Sequence, residues 1–356
     1  MADTPEISVI VGAYSRTEYL LRAVRSLAAQ TLARDRFEIV VTTNFRIPEI
    51  DRALEAVGAR TFFDDERTHG RWLRRAVVRS TAPIVTFLDD DDEYEPERLA
   101  EVVAVWSQHP DLGFYRNRVR VIDASGRHVP LERWRAHEVD RGFDALGAVY
   151  LPPDGRLRLL ELGTRTTSST FNNSSMAIRR ELLSGDVGDA FDQLEGNEDT
   201  FLFLAGVLAP YGVYLDDRRL TRFRFHDGNV TRDLRYLEDA ADSHRHMAEV
   251  AARHGRTDFA EWCRGISVHY QRMFRGSALV ERVRQGAGRG EVVQRTAEYL
   301  RFLAAHPEDV RFDLNTWAAA AYGLAYPGAP SLVRRLARAR VIAGGSPGPA
   351  AGGATA

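Results

Sequence analysis

The first hundred residues alternate short apolar runs with amphipathic stretches, and this alternation constrains the fold more than any other feature of the chain. Ile7 to Val11, Phe37 to Val41, Ala59 to Phe63 and Ile84 to Leu88 are continuous apolar runs of strand length. Between them, Glu18 to Gln30 sets Leu20, Leu21, Val24, Leu27 and Ala28 on one helical face, and Arg71 to Arg79 reads as a further helix. Apolar strands separated by amphipathic helices imply an α/β fold, a Rossmann-like, mainly parallel sheet flanked by helices on both faces. Ligands of such sheets sit at the carboxyl ends of the strands. Gly12-Ala13-Tyr14-Ser15-Arg16 and Asp89-Asp90-Asp91-Asp92 both occupy such ends.

Four consecutive aspartates after a buried strand are a costly arrangement, because carboxylates this close repel one another. A hard divalent cation, Mg²⁺ or Mn²⁺, takes oxygen ligands and bridges protein carboxylates to substrate phosphate, so a metal-nucleotide site is the first expectation. The competing reading is a solvated turn, with Pro96 opening a helix over Glu97 to Trp106 whose positive end favours acidic residues.

With 356 residues, 44% of them hydrophobic, the chain can bury one large or two smaller cores. A net charge of -2 makes no electrostatic case for nucleic acid as a partner. One cysteine, Cys263, excludes an internal disulfide framework and fits a reducing compartment. The N-terminus has no basic region before its first strand, and the longest apolar stretch, Phe201 to Ala209, is too short to span a bilayer. The expectation is a cytoplasmic protein, with peripheral contact at the inner membrane face left open. Glycosylation sequons at Asn172, Asn173 and Asn229 then read as chance matches.

Further along, Gly113 to Ile122 and Val129 to Trp134 read as antiparallel strands around the turn Asp123-Ala124-Ser125-Gly126. Asp140 to Thr170 reads as loop. From Leu234 helical periodicity dominates through about Ile342, and the Gly- and Ala-rich tail 344–356 is expected to be disordered.

Several segments are similar, in order, to family 2 glycosyltransferases with the GT-A fold: Ser8 to Arg16 (SVIVGAYSR), Tyr19 to Gln30, Phe37 to Val41, Phe87 to Pro96 (FLDDDDEYEP), Asn173 to Arg180 (NSSMAIRR), Glu198-Asp199 and Phe223 to Val230 (FRFHDGNV). The resemblance implies a GT-A catalytic domain over residues 1–232, divided into a nucleotide-binding half 1–110 and an acceptor half 111–232, followed by a helical region 233–343. It further implies an inverting transfer from a nucleoside-diphosphate sugar, UDP-linked by preference, to an acceptor hydroxyl, assisted by Mn²⁺ or Mg²⁺. Asp89 then contacts the donor ribose or the metal, Asp91 ligates the metal, and Asp90, on the donor side, and Asp92 are secondary candidates. The resemblance makes Asp199 the general base and His226 a metal or phosphate ligand. Ala13, Tyr14 and Arg16 lie where the donor base stacks, and Arg71 or Arg74 could pair with phosphate oxygens. In Arg222 to His226, strand alternation sets the two phenylalanines on one face and Arg222, Arg224 and His226 on the other, a basic face suited to a diphosphate.

Simpler structural roles compete at each position: helix capping for Glu198-Asp199, a surface histidine at 226, and a solvated basic helix face for Arg71 and Arg74. The chain also departs from the family pattern. Gly12 stands where proline is common, Thr42-Thr43-Asn44 replaces an aspartate that reads the base, and Phe203 to Ala205 replaces an arginine. Asn44 both donates and accepts hydrogen bonds, so it can still read a base. The acceptor, whether glycan, lipid carrier, peptide or small metabolite, has no motif. In the helical region, Val293, Ala297, Leu300 and Ala304 fit packing on the catalytic domain or a second subunit, and Ser331 to Arg340 is basic and amphipathic. A sugar nucleotidyltransferase and a degenerate, non-catalytic GT-A module are the alternatives.

Overall fold

β1 (Ile7–Ala13) is buried at every position except Gly12, so helices must cover both of its faces. In the computed structural model, which describes residues 4–14, 17–129, 147–156, 159, 172–226, 234–307 and 314–339, they do. β2 (Phe37–Thr43) and β4 (Ile84–Asp89) pair with β1 in parallel, and β3 (Arg60–Phe63) pairs in parallel with β2. The register places Gly12 opposite both Thr42 and Asp89, so the three strands end at one level.

The sheet then changes character. β8 (Met176–Arg179) runs antiparallel to β4 and to β6 (Leu112–Asp123), and β9 (Gly212–Phe225) runs parallel to β6. β5 (Glu93–Tyr94) and β7 (Val149–Leu151) add antiparallel pairs to β9. The order is β3-β2-β1-β4-β8-β6-β9-β5 with β7 also on β9, nine strands among the described residues.

On one face Ile7, Val9, Val11 and Ala13 join a core with α1 (Leu20–Ala28), α2 (Pro48–Ala56) and α4 (Arg98–Gln108). On the other lies α3 (His69–Arg79), whose Trp72 ring fills the space a side chain at Gly12 would take, with its nearest atom 2.8 Å from an ideal Cβ there. Glycine at this point is therefore tied to Trp72. Two shorter helices, α5 (Gly185–Phe191) and α6 (Glu198–Leu208), follow β8.

Three sequence expectations change. Residues 48–56 form α2, which the strand-helix alternation did not include. Residues 149–151 form a strand inside the stretch read as loop, paired with β9. β6 takes its main partners from β8 and β9; of the strand expected over Val129 to Trp134, only Val129 is described, its amide donating to Val121 O at 3.0 Å, and 130–134 lie outside the described residues. The tail 344–356 also lies outside them.

Contacts divide the chain into two units, Met1–Gly228 with Glu249–Gly255, and Asn229–Ala248 with Arg256–Ala356. The second has its own core, in which Leu279 and Val283 of α8 (Thr257–Gln285), Tyr299 of α9 (Arg289–Ala305), Ala319 of α10 (Leu314–Ala325) and Val333 of α11 (Pro330–Ala339) cluster. α7 (Arg235–Arg253) precedes them. α8 ends at Gly286, whose φ of +79° is the left-handed cap that glycine adopts without strain. Among the described residues, no helix is long and apolar enough to cross a membrane.

Close approach also fixes the start of α3. The Gly70 amide donates to Leu194 O at 2.9 Å, and an added Cβ would lie 1.9 Å from Phe191 O. Gly70→Ala must push α3 away from the segment leading into α6, and should lower unfolding free energy by about 1–3 kcal/mol in urea titrations. An unchanged midpoint would mean that this approach is not tight.

Candidate active site

The aspartate block begins where β4 ends. Asp89, the last strand residue, is partly exposed, whereas Asp90, Asp91 and Asp92 are buried. The chain turns back at once, the Asp92 amide donating to Asp89 O at 3.1 Å. One carboxylate oxygen from each of Asp89, Asp91 and Asp92 lies within 4.8 Å of the other two. Of the two secondary candidates, Asp92 joins Asp89 and Asp91 in this cluster and Asp90 does not.

Burial first, then Asp91 and Asp89, push the Asp92 carboxyl well above its ordinary range, against two opposing hydrogen bonds. Asn172 Nδ2 donates to Asp92 Oδ2 at 2.7 Å and the Arg224 amide donates to Oδ1 at 2.8 Å. His226 follows β9, and its Nε2 lies 3.0 Å from Asp91 Oδ2. Three carboxylates and an imidazole suit an oxygen-preferring divalent cation, and like charge this concentrated is what such an ion relieves. The residues present fit the group.

The alternation in Arg222 to His226 holds. Phe223 and Phe225 pack with Val119, Val121 and Val129. The arginines, however, do not form a face for a diphosphate. Arg222 pairs with both oxygens of Glu95, at 3.0 and 2.7 Å. Arg224 is fully buried, ion-paired to Glu93, donating from Nε to Asp91 O at 2.8 Å, with its guanidinium 4.8 Å over the Tyr19 ring. Both arginines brace the acidic turn from beneath.

Asp199 is the second residue of α6, where helix-end amides favour a carboxylate. Its Oδ1 accepts the Thr200 amide at 2.7 Å and its Oδ2 accepts the Asn172 amide at 2.9 Å. Burial pushes its pKa up to about 6, the two amide bonds and Arg116 pull it down, and Glu198 adds to the rise. The carboxyl is therefore poised near neutrality, as a general base requires. Its neighbour Glu198 is buried and meets His69 Nδ1 at 2.6 Å.

Sequence reasoning passed over three of these residues. Asn172, noted only as a sequon match, touches both acidic groups through one residue. His69 and Trp72 line the start of α3, their rings stacked with centroids 5.7 Å apart. Histidine at the start of a helix beside the aspartate-bearing sheet end was the available signal for His69. Nothing local marks Asn172.

The remaining candidates divide. Tyr14 is exposed and sits edge-on against Trp72, with centroids 5.7 Å apart, so a ring is presented at the end of β1. Asn44 lies half-buried just past β2, two residues after Thr42, whose buried hydroxyl has no hydrogen-bond partner among the described residues. Ala13 is a correction: its side chain belongs to the core, leaving only its backbone at the sheet end. Arg74 is another. It donates to Leu183 O at 3.2 Å and pairs with Asp192 at 2.6 Å and Asp189 at 3.2 Å, anchoring α3 to α5. Arg71 is exposed, with its guanidinium 3.4 Å from Glu66. Arg16 lies outside the described residues.

The description "Glycosyl transferase family 2" matches residues 8–183, a span that includes the aspartate block, Asn172 and β8. The chain carries a family 2 glycosyltransferase domain. It is similar to an uncharacterized glycosyltransferase of Nostoc sp., 29% identical over 132 residues, 35% of this chain and 39% of that protein. The chain thus spans about two fifths of the length of the curated relative it matches. In fold it is similar to Staphylococcus aureus TarS residues 1–349 in complex with UDP-GlcNAc (TM-score 0.60, 16% identity, 94% of this chain and 92% of that one). The same TarS segment in complex with UDP gives a TM-score of 0.57 at 15% identity, over 95% of each chain. At such identities the likeness establishes the GT-A fold of the domain.

The placement of Arg74 has a direct test. Arg74→Ala should cost about 1 kcal/mol of stability, as for partly exposed ion pairs, and leave nucleotide affinity within about twofold. A larger loss of affinity would return Arg74 to the phosphate site.

Proposed function

We propose that the chain is an inverting, divalent-metal-dependent glycosyltransferase that moves a sugar from a nucleoside diphosphate to an acceptor hydroxyl. The observation that carries this reading is the meeting of a three-carboxylate cluster with a second, separately held carboxylate of raised pKa at the carboxyl end of the sheet. Asp89, Asp91, Asp92 and His226 would hold Mn²⁺ or Mg²⁺, which when bound neutralises charge on the diphosphate leaving group. The TarS complexes with UDP-GlcNAc and UDP support a UDP-linked donor. Tyr14 offers a ring for the base and Asn44 a reader in place of the family's aspartate.

Asp199 takes the proton of the acceptor hydroxyl as that oxygen bonds to the anomeric carbon. The bond from that carbon to the diphosphate oxygen breaks, its electron pair leaves with the nucleotide, and the configuration inverts. The amides of Thr200 and Asn172 orient the two Asp199 oxygens and leave each a lone pair for the acceptor. Arg224 and Asn172 keep the acidic turn in place while charge shifts above it.

UDP should raise the melting temperature only when Mn²⁺ is present, by mass action on the native state, and Asp91→Ala should remove the shift. A shift with UDP alone, or one that survives Asp91→Ala, would contradict the metal assignment.

Asp199→Asn should retain the Mn²⁺-dependent UDP shift and lose transfer by about a hundredfold or more. In the parent, the rate should fall as pH drops below about 6, when Asp199 becomes protonated. The stability sign is opposite. Because the folded protein raises this carboxyl, its contribution is full below about pH 4 and is lost as pH rises through the folded value. The parent's unfolding free energy should therefore fall as pH rises from about 4 through about 6, a fall absent from Asp199→Asn, and equal pH profiles for the two proteins would deny that folding strains this carboxylate.

A further inference from the structure

Asn172 lies between the two acidic groups of the proposed site and donates to both. Its side-chain amide reaches Asp92 Oδ2 at 2.7 Å and its backbone amide reaches Asp199 Oδ2 at 2.9 Å. Three features hold it in this pose. Its φ of +71° is left-handed, a conformation asparagine tolerates better than most residues. Its carbonyl accepts from the amide and the hydroxyl of Ser175, at 3.1 and 2.8 Å. The residue is also buried, so neither donor exchanges readily with water.

We infer that Asn172 is a positioning residue that couples occupancy of the aspartate cluster to the placement of Asp199. The inference rests on the reading under Proposed function and goes beyond it, because it concerns how two subsites communicate. A cation brought with a nucleotide diphosphate to Asp89, Asp91 and Asp92 immobilises the Asp92 carboxylate, to which Asn172 Nδ2 donates at 2.7 Å, and so tightens the Asn172 side-chain bond. Side chain and backbone belong to one residue locked in one φ, so tightening one donor restrains the other. Asp199 is thereby fixed when a donor is bound and left looser when the cluster is empty.

Asn172→Gly separates the two arms, since glycine adopts the same φ and keeps the backbone amide while losing the side-chain donor. Two readouts need no acceptor. Calorimetry of UDP with Mn²⁺ should show about tenfold weaker binding in the variant, the size expected for losing one hydrogen bond to a charged group. Hydrogen exchange, followed in peptides spanning 197–203, should slow on Mn²⁺-UDP binding in the parent and stay unchanged in the variant at saturating Mn²⁺-UDP. A residue with only a structural role would alter the melting temperature and leave the ligand-induced slowing intact.

Parental affinity in Asn172→Gly, or slowing over 197–203 that persists at saturation, would overturn the inference. Should Asn172→Gly fail to fold, Asn172→Asp keeps the shape and the left-handed preference but presents a carboxylate to Asp92, and the same two outcomes apply. If the parent itself binds no Mn²⁺-UDP, the functional reading fails, and that result is distinct from any difference between parent and variant.

Discussion

Three carboxylate oxygens within 4.8 Å of one another, two of them on buried residues, set the conditions that the surrounding structure has to meet. Such a cluster cannot be held by apolar packing. It is built on the end of a buried parallel strand, where β1, β2 and β4 stop at one level, and it is braced by groups from distant parts of the chain. Arg224 reaches it from β9 with its backbone amide and its guanidinium, and Asn172 reaches it from the segment before β8. Each brace binds a particular carbonyl or carboxylate oxygen, so the turn has one geometry even though its charges repel.

The same constraint explains how basic residues are used. Arg222, Arg224 and Arg74, which a sequence reader would assign to phosphate, have protein carboxylates as partners. Arg224, fully buried, compensates acidic groups at the sheet end, and Arg222, partly exposed, pairs with Glu93 and Glu95 close by. In the proposed reaction, positive charge for a diphosphate would then come from a cation held by the cluster. Asp199 stands apart from that cluster, at a helix start, and keeps a pKa suited to accepting a proton.

Much of the fold could be read from the chain because continuous apolar runs and amphipathic helices report their own burial. Strands β1, β2 and β4 and helices α1, α3 and α4 are of this kind. α2 escaped notice because only Ile50 and Leu54 of its nine residues are buried, leaving a short helix with little apolar pattern. In the proposed site, Asp91, Asp199 and His226 are candidates named by motif resemblance. Asp92 could not be chosen over Asp90, since that choice depends on how the turn folds back after β4. Asn172 acts through contacts 80 and 27 positions away and through a left-handed backbone, none of which leaves a local trace. The same holds for Arg74, whose carboxylate partner Asp192 lies 118 positions downstream.

The central claim is that the cluster exists to hold a cation and, through it, a nucleotide diphosphate. The most direct test is anomalous diffraction from crystals of the protein grown with Mn²⁺ and UDP, recorded at the manganese edge. The account requires a manganese peak bound by oxygens from Asp91 and at least one of Asp89 and Asp92, within reach of His226 and of a phosphate of UDP. UDP seated at the sheet end without manganese, or manganese found only elsewhere, would contradict it.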